Sequence, residues 1–389
     1  MQASVDNRVI DRRIGELCKE WMHVNGRNDV ATNLQATLQA VFDEGLTANR
    51  GGKRLRALLA LAAFDAYGVD NVSTGKISKE TTTQNGNANT STANHDTQAD
   101  GIPPAMLDLA CAIEIYQTSA LIHDDIIDDS PLRRGRPSAH VALAGKNEGN
   151  GPDNFGTGLA LMLGNMLATA SADIAATALE NPALQYADEN LHTFLQMQRA
   201  VEIGQTLDLG AENISLDEPD KLIDASLNVF AWKTASYTTI APLGLGLCAA
   251  GMAPKEAHQA ARGIGLPLGV AFQLADDLID VTGKNSGKPV GGDVREGKRT
   301  VLLADALQAA DKTGRDTLIN TYHKPTRSDT DVRNVLDLFV STGAIDASRR
   351  RIQDLCHKTE SAIDRTIKTP ESHEILAQAC ERFIPDNLR

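Results

Sequence analysis

The sequence predicts an all-α protein, on three observations. Aromatic residues make up only 4 % of the 389 residues. Apolar positions recur at helical spacing, as at Leu55, Leu58, Leu59 and Ala62, and again at Leu159, Met162, Leu163 and Met166. Runs of alternating apolar and polar residues, the mark of half-buried strands, are scarce. Alanine-rich faces suit helices that approach closely and pack helix on helix.

In chain order, Leu17, Trp21 and Val24 mark one helical face, and Leu34, Leu38 and Val41 the next. Asn49–Arg56 is a glycine-containing turn that opens a helix. Residues from about 71 to 101 are rich in Thr, Asn and Ser and have little to bury, so they are expected to form a disordered surface insert. The helices on either side read as parts of one core, so residues 1–389 are taken as a single domain. Pro103 and Pro104 start a long apolar helix that runs through Ile127, with Glu114 inside it, and Pro131 ends it. Ala144–Gly156 reads as a loop. Helices are expected over Leu159–Thr177, Asn190–Ala211, Asp224–Cys248 and Ala257–Val281, with scaffold helices to the end.

A net charge of −13 argues against nonspecific nucleic-acid binding. Five cysteines without paired or ligand spacing fit a reducing compartment, and the expected location is cytoplasmic. The first residues lack the basic and apolar regions of a signal peptide. The apolar runs are broken by polar residues, so no membrane span is expected.

The chemistry lies in two acidic clusters. Asp124, Asp125 and Asp128 recur as Asp276, Asp277 and Asp280 at the same spacing. Residues four apart share a helix face, roughly 6 Å along the axis, where like charges repel. Two such clusters suggest two facing helices gripping divalent metal. Cations stand nearby in sequence: Lys53, Arg54 and Arg56 at a helix start, then Arg133, Arg134 and Arg136. Cations oppose the dipole at a helix start, but with free amides they could hold a phosphate. A solvated basic turn, with arginines that merely neutralise the aspartates, explains them equally at this point. Lys233 is either a snorkelling surface residue or one reaching a central cavity. The stretch Thr282–Thr300 resembles a phosphate loop only loosely. Gly292 stands at Walker A spacing from Gly297 and Lys298, but Arg299 replaces the required Ser or Thr. No nucleophile elbow, Cys/His pair or HExxH occurs. The inventory points to magnesium plus diphosphate, with charge stabilisation on a leaving group in a dry site.

These markers resemble the trans-isoprenyl diphosphate synthases, the farnesyl/geranylgeranyl/polyprenyl diphosphate synthase family. They are Gly51–Arg56, Asp124–Asp128, Arg133–Gly135, Gly204 and Gln205, Lys233 and Thr234, Phe272 and Gln273, Asp276–Asp280, Gly287 and Lys288, and Gly297 and Lys298. They run in order over residues 45 to 310. The resemblance implies one helical domain of the isoprenoid-synthase type around a central apolar cavity, and a homodimer. It implies Mg²⁺-dependent head-to-tail condensation of isopentenyl diphosphate with an allylic diphosphate. Three Mg²⁺ would sit on Asp124, Asp128 and Asp276, with Asp125, Asp277 and Asp280 as further ligands or water-ordering groups. Arg133, Lys233, Gln273 and Lys288, with Lys298, would hold the allylic diphosphate. Lys53, Arg56 and Arg134 would hold isopentenyl diphosphate. Thr234 and Gln273 would lie near the developing cation, and the departing diphosphate would take the final proton. Two positions depart from the family: Gln117 replaces a usual histidine, and Asn165 a usual aspartate. Gln117 keeps a hydrogen bond for isopentenyl diphosphate but not a charge.

Product length is expected to depend on the helix face below Asp124. Ser119 and Ala120 are small where farnesyl-specific members carry a ring. Tyr116 lies about 12 Å below Asp124, which points to geranylgeranyl diphosphate, with farnesyl and longer products as alternatives. Tyr116 packed sideways in the core is the plainer option. A terpene cyclase or head-to-head synthase is disfavoured by the second basic pocket. A non-enzymatic lipid- or metal-binding helical protein explains the acids but not both pockets.

Overall fold

A computed structural model describes residues 6–23, 30–73, 102–145, 154–283 and 290–389. It is helical, as expected, and falls into two compact units. The first comprises residues up to 195 together with 245–254; the second comprises 196–244 and 255–389.

The first unit contains α1 (Asn7–Met22), α2 (Thr32–Ala48), α3 (Leu55–Ser73), α4 (Pro104–Ile127), a hairpin of β1 (Leu132–Arg133) and β2 (Arg136–Pro137), α5 (Ala139–Gly145) and α6 (Phe155–Leu179). In α1, Asp6 caps the first turn by accepting from the Arg8 amide, and Ile10, Ile14, Leu17 and Cys18 form the buried face. Pro104 occupies the first turn of α4, where a missing amide hydrogen costs nothing. This helix is apolar on nearly every side because it is enclosed by α1, α3 and α6. It meets α6 across small residues: the Ser119 hydroxyl donates to the Gly164 carbonyl at 2.7 Å.

By length and composition alone, α4 and α6 could each cross a membrane. However, 72 % of the apolar window of α4 is buried within the protein, and 44 % of that of α6. Core helices of packed bundles have the same composition. The buried side of α6 is Ala160, Leu163, Gly164, Leu167 and Ala170, while Met162 is 50 % exposed. The expected stripe of large residues is thus only partly the core face, because small residues share that face with Leu163 and Leu167.

After α6, α7 (Ala187–Ala211) runs from the first unit into the second. Then come α8 (Pro219–Val229), a π-helical segment (Phe230–Ile240), α9 (Ala241–Ala249) and α10 (Pro254–Thr282). Sequence periodicity predicts helix here but does not reveal the wider π pitch. The segment lies against two glycines of the second unit. A Cβ on Gly204 would fall 2.3 Å from the Lys233 nitrogen, and one on Gly269 would fall 2.5 Å from the Ala235 Cα. Only a residue without a side chain fits at either contact. The unit continues with α11 (Gly292–Glu296), α12 (Val301–Ala309), α13 (Lys312–Tyr322), α14 (Asp329–Ser341), α15 (Ala344–Thr366) and α16 (Pro370–Glu381). Arg351 of α15 pairs with Asp305 of the buried α12 at 2.7 Å, and Ser328 and Asp331 form a reciprocal cap on α14. The polar insert expected at about 71–101 lies, from residue 74 onward, outside the described residues.

Candidate active site

In the first unit the acidic triad closes α4. Asp124 and Asp125 occupy the last turn, and Asp128 is the C-cap residue, its amide donating to the Asp124 carbonyl at 2.9 Å. The three side chains differ in exposure. Asp124 remains 21 % accessible, whereas Asp125 is only 3 % accessible. Arg133 reaches back from β1. Its Nε donates to Asp125 at 2.9 Å and its Nη2 to the same carboxylate, and it stands 3.7 Å from Asp124. Burial pushes the Asp125 carboxyl above its ordinary pKa, against the opposing pull of Arg133.

Arg133 can reach back because the chain reverses tightly. Arg134 and Gly135 both take positive φ, 54° and 73°, between the paired residues Arg133 and Arg136. That is a two-residue hairpin turn whose twist matches its strands. Arg134 then points to the turn ahead of α3, donating to the Gly51 carbonyl at 2.9 Å and to the Arg50 carbonyl at 3.2 Å. Arg50, Arg133, Arg134 and Arg136 line one cavity together with Glu44 and Asp125. Lys53 is exposed, Arg56 is buried at 7 %, and Gln117 is half-buried on α4. Tyr116 and Ser119 are each 1 % exposed, with Ser119 turned to α6, and Ala120 is half-buried.

In the second unit the corresponding triad lies on α10. Asp276 is exposed, Asp277 is 4 % exposed and Asp280 is half-buried. A relay fixes Asp277: the Thr234 hydroxyl donates to Gln273 Oε1 at 2.9 Å, and Gln273 Nε2 donates to Asp277 Oδ1 at 3.0 Å. Asp280 accepts from the amides of Gly292 and Asp293, both at 3.1 Å, where α11 starts with Gly291 in the left-handed region. Lys298 lies 2.8 Å from Glu296 and 3.8 Å from Asp293. Burial lifts Asp277 well above the ordinary carboxylate range, with Asp293 and Asp276 adding to the rise, and lifts Asp293 to about 7. Lys233, in the π-helical segment, is held by Asp208 of α7 at 2.6 Å.

The donors around the second triad suit a hard divalent cation. Asp277 Oδ2 is buried with no hydrogen-bond partner among the described residues. Like Asp293, it is a carboxyl whose charged form burial disfavours, so a bound cation would favour its ionisation. Among the described residues no three acidic, His or Cys groups converge tightly enough to enclose a metal. Mg²⁺ seldom needs such a cage. It binds through one or two carboxylates and completes its shell with water and phosphate oxygens.

The structure therefore groups Asp124, Asp125, Asp128, Arg133 and Arg134 in one unit. It groups Lys233, Thr234, Gln273, Asp276, Asp277, Asp280 and Lys298 in the other. Lys288 and Gly287 lie outside the described residues. Three contributors were given no site role by sequence reasoning, Glu114, Asp208 and Asp293, and Arg54, grouped there with the phosphate-holding cations, is turned inward instead. Glu114 was signalled as a carboxylate in the middle of an apolar helix, and Asp208 by its spacing from Gln205. Asp293 gave no sign beyond its loop.

Comparison with known proteins gives a consistent picture. A family model described as polyprenyl synthetase matches residues 35–339. A geranylfarnesyl diphosphate synthase of Aeropyrum pernix is 30 % identical over 273 residues, 69 % of this chain and 79 % of that one. An octaprenyl diphosphate synthase of Escherichia coli is 25 % identical over 331 residues, 85 % of this chain and 84 % of the relative. Among solved structures, a geranylgeranyl pyrophosphate synthase of Corynebacterium glutamicum, complexed with isoprenyl diphosphate and magnesium, superposes with a TM-score of 0.76. It is 28 % identical and covers 97 % of this chain and 99 % of its own.

Proposed function

This chain belongs to the polyprenyl synthetase family of trans-prenyltransferases, and from that premise we propose that it condenses isopentenyl diphosphate head to tail with an allylic diphosphate and releases geranylgeranyl diphosphate. The observation that carries the reading is a division of labour within each triad. The middle aspartate is tied inward, Asp125 to Arg133 and Asp277 to Gln273, while Asp124 and Asp276 remain accessible.

Asp124, Asp128 and Asp276 would hold magnesium, three ions in all, with Asp125, Asp277 and Asp280 as further ligands or holders of the metal's waters. Bound Mg²⁺ supplies Lewis-acid stabilisation of the departing diphosphate. Arg133, Lys233, Gln273, Lys288 and Lys298 orient the allylic diphosphate. Ionisation leaves an allylic cation, which the carbonyl oxygen of Gln273 and the hydroxyl of Thr234 stabilise. Lys53, Arg56 and Arg134, with Gln117, bind isopentenyl diphosphate so that its double bond attacks that cation. The released diphosphate takes the proton from the new chain.

Product length rests on Tyr116, two turns below Asp124 on α4, with the small Ser119 and Ala120 above it. The relatives make products of several lengths, so this residue carries the assignment to geranylgeranyl. Tyr116→Ala should shift products to longer chains in a radiolabelled product assay, and an unchanged distribution removes it as the floor. We read the two units as parts of one catalytic domain. The exposed Leu161 and Met162 on α6 support assembly as a homodimer, and the five free cysteines support a cytoplasmic setting.

Incubation of the protein with Mg²⁺, isopentenyl diphosphate and dimethylallyl, geranyl or farnesyl diphosphate tests the function. A twenty-carbon diphosphate is expected, and absence of diphosphate release with every primer overturns the reading.

A further inference from the structure

Ahead of α3 the chain is fastened by a buried ionic knot. Arg54 takes a φ of 51°, a left-handed conformation that residues bearing a Cβ adopt only under constraint. Its side chain is 1 % exposed. It donates to Asp11 at 2.6 Å, to Glu114 at 3.3 Å and to the Asn49 carbonyl. Glu114, 2 % exposed on α4, uses its other oxygen to accept from the Ala57 amide at 3.2 Å. Ala57 is the third residue of α3, where amides have no partner within the helix. One carboxylate thus holds the arginine and closes the start of α3.

Buried ion pairs of this kind return little net stability, and the left-handed arginine adds strain. Both features persist in the segment whose neighbouring side chains, Lys53 and Arg56, are the cations assigned above. Lys53 is turned out to solvent because Arg54 is turned in. Gln117 lies three residues beyond Glu114, on the same side of α4. Arg134 grips the same turn through the Arg50 and Gly51 carbonyls.

We propose that Glu114, acting through Arg54 and the Ala57 amide, is a positioning residue for the acceptor diphosphate. It keeps Lys53, ahead of α3, and Arg56, in its first turn, in register with Gln117 on α4. The proposal rests on the reading of that pocket as the isopentenyl diphosphate site. Glu114 does not touch substrate. Its effect passes through the backbone it holds, so it should act on one substrate and not on the other.

Glu114→Gln keeps the size and the acceptor toward Ala57 but removes the charge facing Arg54. We expect KM for isopentenyl diphosphate, and its Kd by calorimetry, to rise about tenfold, the usual consequence of losing a charge-assisted hydrogen bond. The allylic KM and kcat should stay within about twofold, as for loss of binding to one substrate only. An unchanged isopentenyl diphosphate Kd, or equal rises for both substrates, overturns the proposal. Should the variant not fold, Arg54→Lys keeps the charge and loses the planar fork. A rise of about threefold in the same Kd, with the allylic KM unmoved, supports the proposal, and no rise overturns it. Wild-type protein that binds isopentenyl diphosphate yet forms no product refutes the function while leaving this test in force. Wild-type protein that does not bind it refutes both.

Discussion

Asp125 and Asp277 hold the same place in two identically spaced triads, yet they are buried against different partners. Asp125 faces a guanidinium, so its charge is answered by a full opposite charge. Asp277 faces a neutral amide, with Asp293 and Asp276 adding repulsion. Asp280, one turn further, is held by the two amides at the start of α11. Spacing shows that carboxylates share a face, but it does not show what neutralises them. The first triad comes with its own counter-ion. In the second, no guanidinium among the described residues bonds Asp277, and Lys298 only moderates the repulsion, so its chemistry should depend more steeply on metal.

The largest expected effects concern the accessible aspartates. Asp124→Ala and Asp276→Ala should each lower kcat by at least ~10²–10³-fold, the scale for losing one charge-stabilising group, with circular dichroism unchanged. Near-normal turnover in either would remove it from the site. Next comes a contrast in stability, measured by urea titration of metal-free protein. Arg133→Ala strands a buried carboxylate and should cost about 2 kcal/mol, whereas Gln273→Ala removes a neutral partner and should cost about 1 kcal/mol. Equal losses would erase the distinction between the triads.

A pH scan sharpens the same contrast. Asp293 is lifted to about 7 by burial, with Asp280 and Glu296 adding and Lys298 opposing. A carboxyl whose folded pKa lies above its unfolded value stabilises fully below the ordinary range and loses that contribution as pH rises through 7. Metal-free Tm should therefore lose this contribution between about pH 4 and 7, and Mg²⁺ should suppress the fall by favouring the ionised form. Asp293→Asn should flatten it, and a scan already flat in the unaltered protein would deny the burial-raised carboxyl. The smallest effect lies outside both triads: Ser328→Ala, at the cap of α14, should cost about 1 kcal/mol and leave kinetics unchanged.

Much of this organisation was legible in the chain. Helical class, the start of α4 at Pro104 and the two triads follow from spacing and proline placement, because these obey local rules. What was not legible depends on contacts distant in sequence. Nothing near Glu114 announces Arg54, sixty residues away. The hairpin was signalled only by Gly135 after Arg134, since the left-handed turn needs residues tolerant of positive φ. On α6, ranking residues by size placed Met162 in the core, although the buried face alternates Leu163 and Leu167 with alanine and glycine and leaves Met162 outside.

The π-helical segment has a consequence for insertions and deletions. Regular helix advances about 100° per residue, so a deletion that restored ordinary pitch between Phe230 and Ile240 would rotate every later side chain of that run about the axis. Thr239, whose hydroxyl is anchored on the Gly265 carbonyl, would then turn away from that anchor relative to Lys233 and Thr234. Length in this stretch is thus under tighter constraint than identity. Laboratory evolution of this protein should accept many substitutions there before it accepts one lost codon.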